Sequence, residues 1–228
     1  MPKYFSTTTI SLIPKIASPA SWSEYRPISL CNVMNKIYTK LMIIRLGHVL
    51  SKVVSLSQSG FVPGQLLSNN VLLAHELIHS LESRRPEPNV VFKLVMAKAY
   101  DRVSWEFLYQ VLRQKGLPQR YIGLVASAVS HYWFSILVND EHAGFFHLTR
   151  GLWLRDPLSL AFVVLAAHYL LRGLDRLFEA HSMMYYQVTS RIRVSHLEYA
   201  DDMMIFTNTC QQNMEICDFL QAYERVSG

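Results

Sequence analysis

Tyr199-Ala200-Asp201-Asp202 stands at the centre of the stretch that decides the fold, which reads Val194-Ser195-His196-Leu197-Glu198-Tyr199-Ala200-Asp201-Asp202-Met203-Met204-Ile205-Phe206. The apolar runs on either side of the two aspartates have the length and the Val, Tyr, Ile and Phe content of short strands. The stretch therefore predicts a β-hairpin with two adjacent carboxylates at its tip. Such a pair is costly beside buried strands unless cations neutralise it, and hard divalent cations take oxygen ligands. An ordinary solvated turn is the alternative, since Asp favours turns.

Length and composition predict a globular protein with a sizeable core. The chain has 228 residues, and half of them are apolar. Its three cysteines, Cys31, Cys210 and Cys217, are too few and too irregularly spaced for a disulfide framework. The first residues lack the apolar core of a signal peptide, and the apolar run from Leu158 to Leu171 is too short to span a bilayer. We therefore expect an intracellular protein, nuclear or cytoplasmic, that is not secreted and has no membrane partner.

Positive charge is concentrated in the first fifty residues. They contain six basic side chains against Glu24 alone, a net charge of +5 that equals the net charge of the whole chain. A basic lobe on a neutral body predicts a partner made of phosphates, and a solvated basic face is the alternative. Lys15, Lys36 and Lys40 are the candidate nucleic-acid contacts.

The four tryptophans are interpreted mainly as packing residues because they are spread along the chain. They are Trp22, Trp105, Trp133 and Trp153. Trp133 is the candidate exception, if nucleic acid stacks on it.

Strand and helix patterns are mixed along the chain, which predicts an α+β architecture. The predicted strands are Thr8–Ile13, Val90–Met96 and a hairpin of Phe134–Val138 and Gly144–Leu148 around Asn139-Asp140. Within Tyr25–Leu30, Pro27 is predicted to hold Arg26 extended. The predicted helices are Asn32–Leu50, Ser68–Ser83, Trp105–Gln114, Gln119–His131, Pro157–Phe178 and Gln211–Val226. The segment Arg84–Asn89 contains two prolines and predicts a boundary between a lobe over residues 1–89 and a second lobe over residues 90–228.

Seven short blocks carry a resemblance that covers nearly the whole chain. They are Leu12-Ile13-Pro14-Lys15, Tyr25-Arg26-Pro27-Ile28-Ser29-Leu30, Gln58-Ser59-Gly60-Phe61-Val62-Pro63-Gly64, Ala97-Lys98-Ala99-Tyr100-Asp101, Arg150-Gly151-Leu152, Asp156-Pro157-Leu158-Ser159 and Tyr199-Ala200-Asp201-Asp202. In these blocks and their order the chain resembles the reverse transcriptases of LINE-type (non-LTR) retrotransposons. The resemblance implies a right-hand polymerase with fingers over residues 1–89, a palm over residues 90–228 and no thumb. It implies an RNA template, a DNA primer and deoxynucleoside triphosphates as partners, with Mg²⁺ or Mn²⁺ as cofactor.

The resemblance also implies roles for individual residues. Arg26 is expected to contact the incoming triphosphate, as a bidentate guanidinium can. Tyr100 is expected to be the aromatic gate that collides with a 2′-hydroxyl, the group that distinguishes ribonucleotides. Asp201 and Asp202 are expected to hold two metal ions for in-line attack of a primer 3′-hydroxyl.

The sequence departs from the family at a catalytic position. The family's first catalytic carboxylate lies five residues before the gate aromatic, and here that position holds Val95, which cannot ligate a cation. Asp101 lies too far along the chain to replace it, and Glu198 precedes the turn in a strand. Losing one essential carboxylate costs on the order of 10⁴-fold in rate, so we expect little or no polymerase activity. A second departure is Leu154-Arg155, where the family has Gln-Gly.

Other functions remain open at this stage. His75-Glu76-Leu77-Ile78-His79 matches the H-E-x-x-H zinc-protease pattern on a predicted helix. A zinc hydrolase is therefore a remote alternative, although no third ligand is evident. The nearer alternatives are a non-catalytic RNA- or DNA-binding module that uses the basic lobe, and a relic of a mobile element.

Overall fold

The computed structural model describes residues 7–30, 32–54, 58, 66–82, 88–96, 99–153, 156–180, 185–186, 193–199, 202–208 and 214–228. The strands in these ranges are β1 (Thr7–Pro14), β2 (Tyr25–Leu30), β3 (Asn89–Val95), β4 (Trp133–Val138), β5 (Glu141–His147), β6 (His196–Tyr199) and β7 (Asp202–Asn208). The α-helices are α1 (Val33–Val53), α2 (Leu67–His79), α3 (Ala99–Arg102), α4 (Trp105–Gln114), α5 (Gln119–Ser130), α6 (Pro157–Glu179) and α7 (Met214–Ser227).

The helices and strands predicted from the sequence are confirmed, and most of their ends lie within one residue of the predicted ends. The prediction for α4 is confirmed residue for residue. Asn139 and Asp140, predicted to turn the β4–β5 hairpin, have φ angles of 50° and 65°, which a two-residue type I′ turn requires. The helix predicted over Ser68–Ser83 is α2, which ends at His79 and continues as a 3₁₀ turn over Ser80–Glu82. The segment Arg84–Asn89, predicted to separate the two lobes, lies mostly outside the described residues.

One compact unit comprises residues 1–46 and 100–160. Its four-stranded sheet has the order β2-β1-β4-β5, in which β1 pairs with β2 antiparallel and with β4 in parallel. Tyr132, Phe134 and Trp153 form a buried aromatic cluster beside this sheet. The pairing of β1 with β4 joins segments that lie more than a hundred residues apart. The division into fingers and palm at residue 89 stays a prediction.

The other compact unit comprises residues 47–99 and 161–228. Its antiparallel sheet has the order β3-β7-β6. Side chains alternate between the two faces of a strand, and both faces are covered here. Leu197 and Phe206 pack on one face with Leu77 of α2. Met203 and Ile205 pack on the other face with residues of α6 and α7, including Leu174.

Helix α6 is the longest element of the core. From Leu158 to Glu179 it is long and apolar enough to cross a membrane by length and composition, but 72% of its most apolar 18-residue window is buried inside the protein. The expectation that this segment is too short to span a bilayer is therefore wrong, because the helix continues beyond Leu171. Such burial is typical of a core helix. The ring of Phe219 on α7 fills the space that a Cβ at Gly173 would need, so α6 and α7 approach closely there.

Helix α1 has apolar residues on both its exposed and its buried side. Met34 and Ile37, whose helical spacing predicts this helix, are 54% and 50% exposed, whereas Asn35 and Thr39 are buried. They are followed on the same inner face by buried Met42, Leu46 and Leu50. The inner face can be polar at Asn35 and Thr39 because their groups are hydrogen-bonded. The Tyr132 hydroxyl donates to Asn35 Oδ1, and Thr39 Oγ1 donates to the carbonyl oxygen of Asn35 at 3.1 Å.

Candidate active site

The hairpin predicted at Val194–Phe206 is confirmed as β6 and β7, and β3 lies on the other side of β7. In the antiparallel ladder Asp202 is opposite Val95 on one side and Tyr199 on the other. Residues opposed in this way have Cβ atoms about 4.5–5.5 Å apart. The strand that carries the first carboxylate in the family thus lies where the resemblance requires, and a valine occupies the position. Val95 is 61% exposed, and Asp202 is exposed beside it.

Asp201 and Ala200, at the tip of the hairpin, lie outside the described residues. The prediction that Asp201 ligates a metal ion therefore stays a prediction. Asp202 is the first residue of β7, so its position is set by the ladder that joins it to Val95.

Glu198 lies on the other face of the sheet from Asp202. It is opposite Met203 in the ladder, and Met203 packs against α6 and α7. Glu198 is 2% exposed, and its charge contributes to the raised pKa of Tyr223 on α7, whose main cause is burial. Burial also raises the pKa of Glu198 to about 9, so this carboxyl group is neutral at physiological pH. Glu198 therefore cannot replace the carboxylate missing at position 95.

The described residues do not fit a site for two divalent ions at this end of the sheet. A two-metal site needs carboxylates from separate strands to bridge the ions, and β3 offers the apolar side chain of Val95. Across the described part of the chain, no group of three or more His, Cys, Asp or Glu side chains lies together as metal ligands would. The chemistry of the donor set thus agrees with the departure seen in the sequence.

Tyr100, the predicted gate aromatic, is half-buried on the short helix α3. The Arg150-Gly151-Leu152 block is hydrogen-bonded to the backbone of this segment. The amide of Gly151 donates to the carbonyl oxygen of Val103 at 2.9 Å, and the amide of Leu152 donates to that of Tyr100 at 2.5 Å. Gly151 has a φ of +90°, and a Cβ there would lie 2.8 Å from the carbonyl oxygen of Asp101. Only glycine accommodates both the positive φ angle and the close carbonyl oxygen without strain.

Replacing Gly151 with alanine is expected to destabilise the protein by about 2 kcal/mol, because the new methyl group meets backbone and the φ angle is unfavourable. Urea denaturation followed by circular dichroism measures this loss. Gly123→Ala is the matched control, since no atom lies within 4 Å of a Cβ at that helical glycine. Equal stability of the two variants would contradict the proposed bracing of the Tyr100 segment.

The predicted phosphate-binding side chains are all exposed. Arg26 lies on β2, where it is opposite Ile13 of β1, and Lys36 and Lys40 lie on α1. Lys15 follows β1, and its Nζ donates to the carbonyl oxygen of Ser23 at 2.6 Å. Their exposure leaves these cations accessible to a polyanion, and their assignment stays a prediction.

Asp156 caps the N-terminus of α6, a role that was not predicted from the sequence. It directly precedes α6 and accepts a hydrogen bond from Ser159 Oγ at 3.4 Å. Burial raises the pKa of Asp156, against hydrogen bonds from Thr39 and the first turn of α6 that lower it. This arrangement is that of a helix N-cap followed by proline, which was recognisable from Asp156-Pro157.

His75 and His79 of the H-E-x-x-H pattern are exposed on α2, as is Glu76 between them. A zinc site of this kind needs a third protein ligand. Within the described ranges no third His, Cys, Asp or Glu side chain joins the two histidines.

Comparison with known proteins identifies the family. Residues 13–228 match the protein family described as reverse transcriptase (RNA-dependent DNA polymerase). The chain is 29% identical over 151 residues to the transposon TX1 uncharacterised 149 kDa protein of Xenopus laevis, covering 66% of this chain and 11% of that protein. It is 24% identical over 197 residues to the retrovirus-related Pol polyprotein from the type-2 retrotransposable element R2DM of Drosophila melanogaster, covering 86% of this chain and 18% of that protein. The chain thus spans less than a fifth of the length of these relatives.

Solved telomerase structures are similar to this chain in fold. Telomerase from Candida tropicalis truncated from its C-terminal domain has a TM-score of 0.59 at 14% identity, covering 98% of this chain and 49% of that chain. Telomerase from Candida albicans in complex with the TWJ fragment of telomeric RNA has a TM-score of 0.62 at 13% identity, covering 97% and 41%. This likeness confirms the predicted right-hand polymerase fold. The family match establishes that the chain belongs to the reverse transcriptase (RNA-dependent DNA polymerase) family, and its similarity to proteins of transposable elements agrees with the LINE-type (non-LTR) retrotransposon domain predicted from the sequence.

Proposed function

We propose that this reverse transcriptase domain binds a primed RNA template but adds nucleotides to the primer slowly or not at all. The observation that carries the proposal is the position of Val95 directly opposite Asp202. The family uses divalent metal ions, and Mg²⁺ or Mn²⁺ is the proposed cofactor. Without a carboxylate at position 95, no step of nucleotide transfer can be assigned to the residues that remain.

Template and primer are proposed to bind through the basic residues of the first fifty positions. The exposed amines of Lys15, Lys36 and Lys40 can neutralise phosphates. Lys15 also donates to the carbonyl oxygen of Ser23, and its charge is one of the causes that lower the pKa of Glu24. Single-stranded nucleic acid binding through such contacts weakens steeply with salt. The Candida albicans telomerase, which shares the fold, was solved with an RNA fragment, and this supports RNA as the ligand.

A deoxynucleoside triphosphate is proposed to meet Arg26 and Tyr100. The Arg26 guanidinium is exposed on β2, where the planar fork can bind two phosphate oxygens. Tyr100 is braced by Gly151 and Leu152, so its ring can exclude a 2′-hydroxyl by position. These residues can bind a nucleotide even where its transfer fails.

A non-catalytic nucleic-acid-binding module is the second candidate. The same observation favours it, because Val95 removes a group needed for chemistry and leaves the basic residues untouched. The two candidates differ in whether any primer extension remains.

Two measurements on one substrate test the proposal. Binding of a fluorescent DNA primer annealed to an RNA template is measured by anisotropy at several salt concentrations. Primer extension is measured with deoxynucleoside triphosphates and Mg²⁺ or Mn²⁺, with an active reverse transcriptase as the positive control. We expect salt-dependent binding and no extension by the natural protein.

Asp202→Ala is the matched control, and it should bind the substrate as the natural protein does. Extension by the natural protein that Asp202→Ala abolishes would show that some other group completes the site, and the claim of impaired chemistry would be wrong. Absence of binding at low salt would overturn the nucleic-acid half of the proposal.

A further inference from the structure

Trp22 is far more exposed than a packing residue, contrary to the sequence interpretation. Its side chain is 80% exposed. It begins the 3₁₀ turn Trp22–Glu24, which lies between β1 and β2. Trp133, the candidate stacking residue from the sequence, is 45% exposed, and its ring lies 5.8 Å from that of His147.

The turn that presents Trp22 is held by several hydrogen bonds. The Glu24 carboxylate accepts from the amides of Ala20 at 2.5 Å and Ser21 at 3.0 Å. The amide of Lys15 donates to the carbonyl oxygen of Glu24 at 2.7 Å, and Lys15 Nζ donates to that of Ser23 at 2.6 Å. The indole therefore projects from an ordered turn, so little conformational entropy is lost when a ligand packs on it.

Trp22 forms a wall of an apolar groove of about 320 Å³. The ring of Tyr25 lies 6.1 Å from the indole at an angle of 42°. Leu12 and Pro27, opposite each other in the β1–β2 ladder, and Ile136 of β4 also line the groove. The volume is at the small end of the range for ligand pockets, and an aromatic wall on an apolar floor suits a flat ring.

The charge of this part of the chain favours an anionic ligand, since the first fifty residues supply most of the groove and carry a net charge of +5. Lys15 lies at the turn itself and is exposed, whereas Arg26 points to the other face of the sheet because its neighbours Tyr25 and Pro27 line the groove. Glu24, the one acidic residue among the first fifty, has its carboxylate directed at the amides of Ala20 and Ser21, and these bonds lower its pKa. Single-stranded nucleic acid has both features, a flat ring and negative charge, because its flat bases are carried on a backbone of negatively charged phosphates.

We propose that Trp22 and the groove beside it form a stacking site for an unpaired nucleobase of single-stranded nucleic acid, with Lys15 at a flanking phosphate. The inference rests on the proposed nucleic-acid binding. It adds a residue that contacts the base, whereas the lysines contact the phosphate backbone. Stacking of this kind is tolerant of sequence, because every base has a π-face.

The test compares affinities of the full chain for a fluorescent, unstructured oligonucleotide. Trp22→Ala is expected to weaken binding about tenfold, whereas Trp22→Phe keeps an aromatic face and should stay within about threefold of the natural protein. Phe145→Ala is the matched control, since this ring is 66% exposed on β5 but does not line the groove, and it should change affinity less than twofold. Thermal denaturation by circular dichroism confirms that each variant is folded.

Two further comparisons separate stacking from charge. Trp22→Ala should lower affinity by the same factor at every salt concentration, whereas Lys36→Gln with Lys40→Gln should lower the salt slope by about one to two. An oligonucleotide that carries abasic positions should bind the natural protein more weakly and should bind Trp22→Ala with little change.

The outcomes distinguish the two proposals. If the natural protein binds no oligonucleotide at low salt, the proposed nucleic-acid binding fails. If it binds and Trp22→Ala binds equally well, the stacking site is wrong and the proposed function stands. An equal loss on normal and abasic oligonucleotides, or binding of a proline-rich peptide in the groove in place of the oligonucleotide, also overturns the stacking site.

Discussion

Val95→Asp is expected to raise the rate of primer extension on the order of 10⁴-fold, from a level at or near background. The reason is geometric, because position 95 is directly opposite Asp202 across one pair of strands. A carboxylate there would stand within about 5 Å of its neighbour, close enough for both to share a divalent ion. Single-nucleotide addition to a primed RNA template, with Mg²⁺ or Mn²⁺, measures the gain.

The substitution should be tolerated by the fold. Val95 is 61% exposed and is the last residue of β3, so little apolar burial is lost. Val95→Asn is the matched control, since it has nearly the same shape as aspartate but no charge, and it should stay inactive. Adding Asp202→Ala to Val95→Asp should remove the gained activity.

A failure of Val95→Asp to extend primers would be informative if the variant still bound the substrate. Another departure from the family is Leu154-Arg155 in place of Gln-Gly. Val95→Asp combined with Leu154→Gln and Arg155→Gly would then be the next variant. Inactivity of this combination would contradict the view that loss of these groups silenced an otherwise intact site.

Glu198→Gln is expected to stabilise the protein by about 3 kcal/mol at pH 7. Burial raises the pKa of Glu198 from 4.5 to about 9, so the folded protein keeps a proton that the unfolded chain releases above about pH 4.5. The stability contributed by the neutral acid is fully present below that pH and is lost as pH rises toward about 9. Within this window the loss is about 1.4 kcal/mol per pH unit. Glutamine has the shape of the neutral acid and cannot ionise.

Urea denaturation at pH 5, 7 and 8.5 measures this effect. The advantage of Glu198→Gln should grow with pH, and this trend separates ionisation from any packing change that glutamine causes. Glu141→Gln, at an exposed position on β5, controls for the removal of one negative charge and should show no such trend. A constant difference across the three pH values would mean that Glu198 is already ionised in the folded state.

Much of the fold, and the valine at the position where the resemblance predicts a carboxylate, could be recognised from the sequence because the signals are local. The ordered blocks indicate the family, and Val95 is five residues before Tyr100 whatever the fold. Helical periodicity predicts α4 to the residue, and Asn139-Asp140 predicts a turn because both residues tolerate positive φ. In each case the physical preference acts within a few residues of the chain.

The tertiary structure alone decided which surfaces are covered and which strands are neighbours. Periodicity shows that Met34 and Ile37 share a face of α1, but packing by distant residues leaves that face exposed and buries Asn35. Alternation along β6 could not show that Glu198 is enclosed by α6 and α7 on the face opposite Asp202. The exposure of Trp22 likewise depends on the turn that carries it. Strand pairing and burial join residues far apart in the chain, so no local pattern records them.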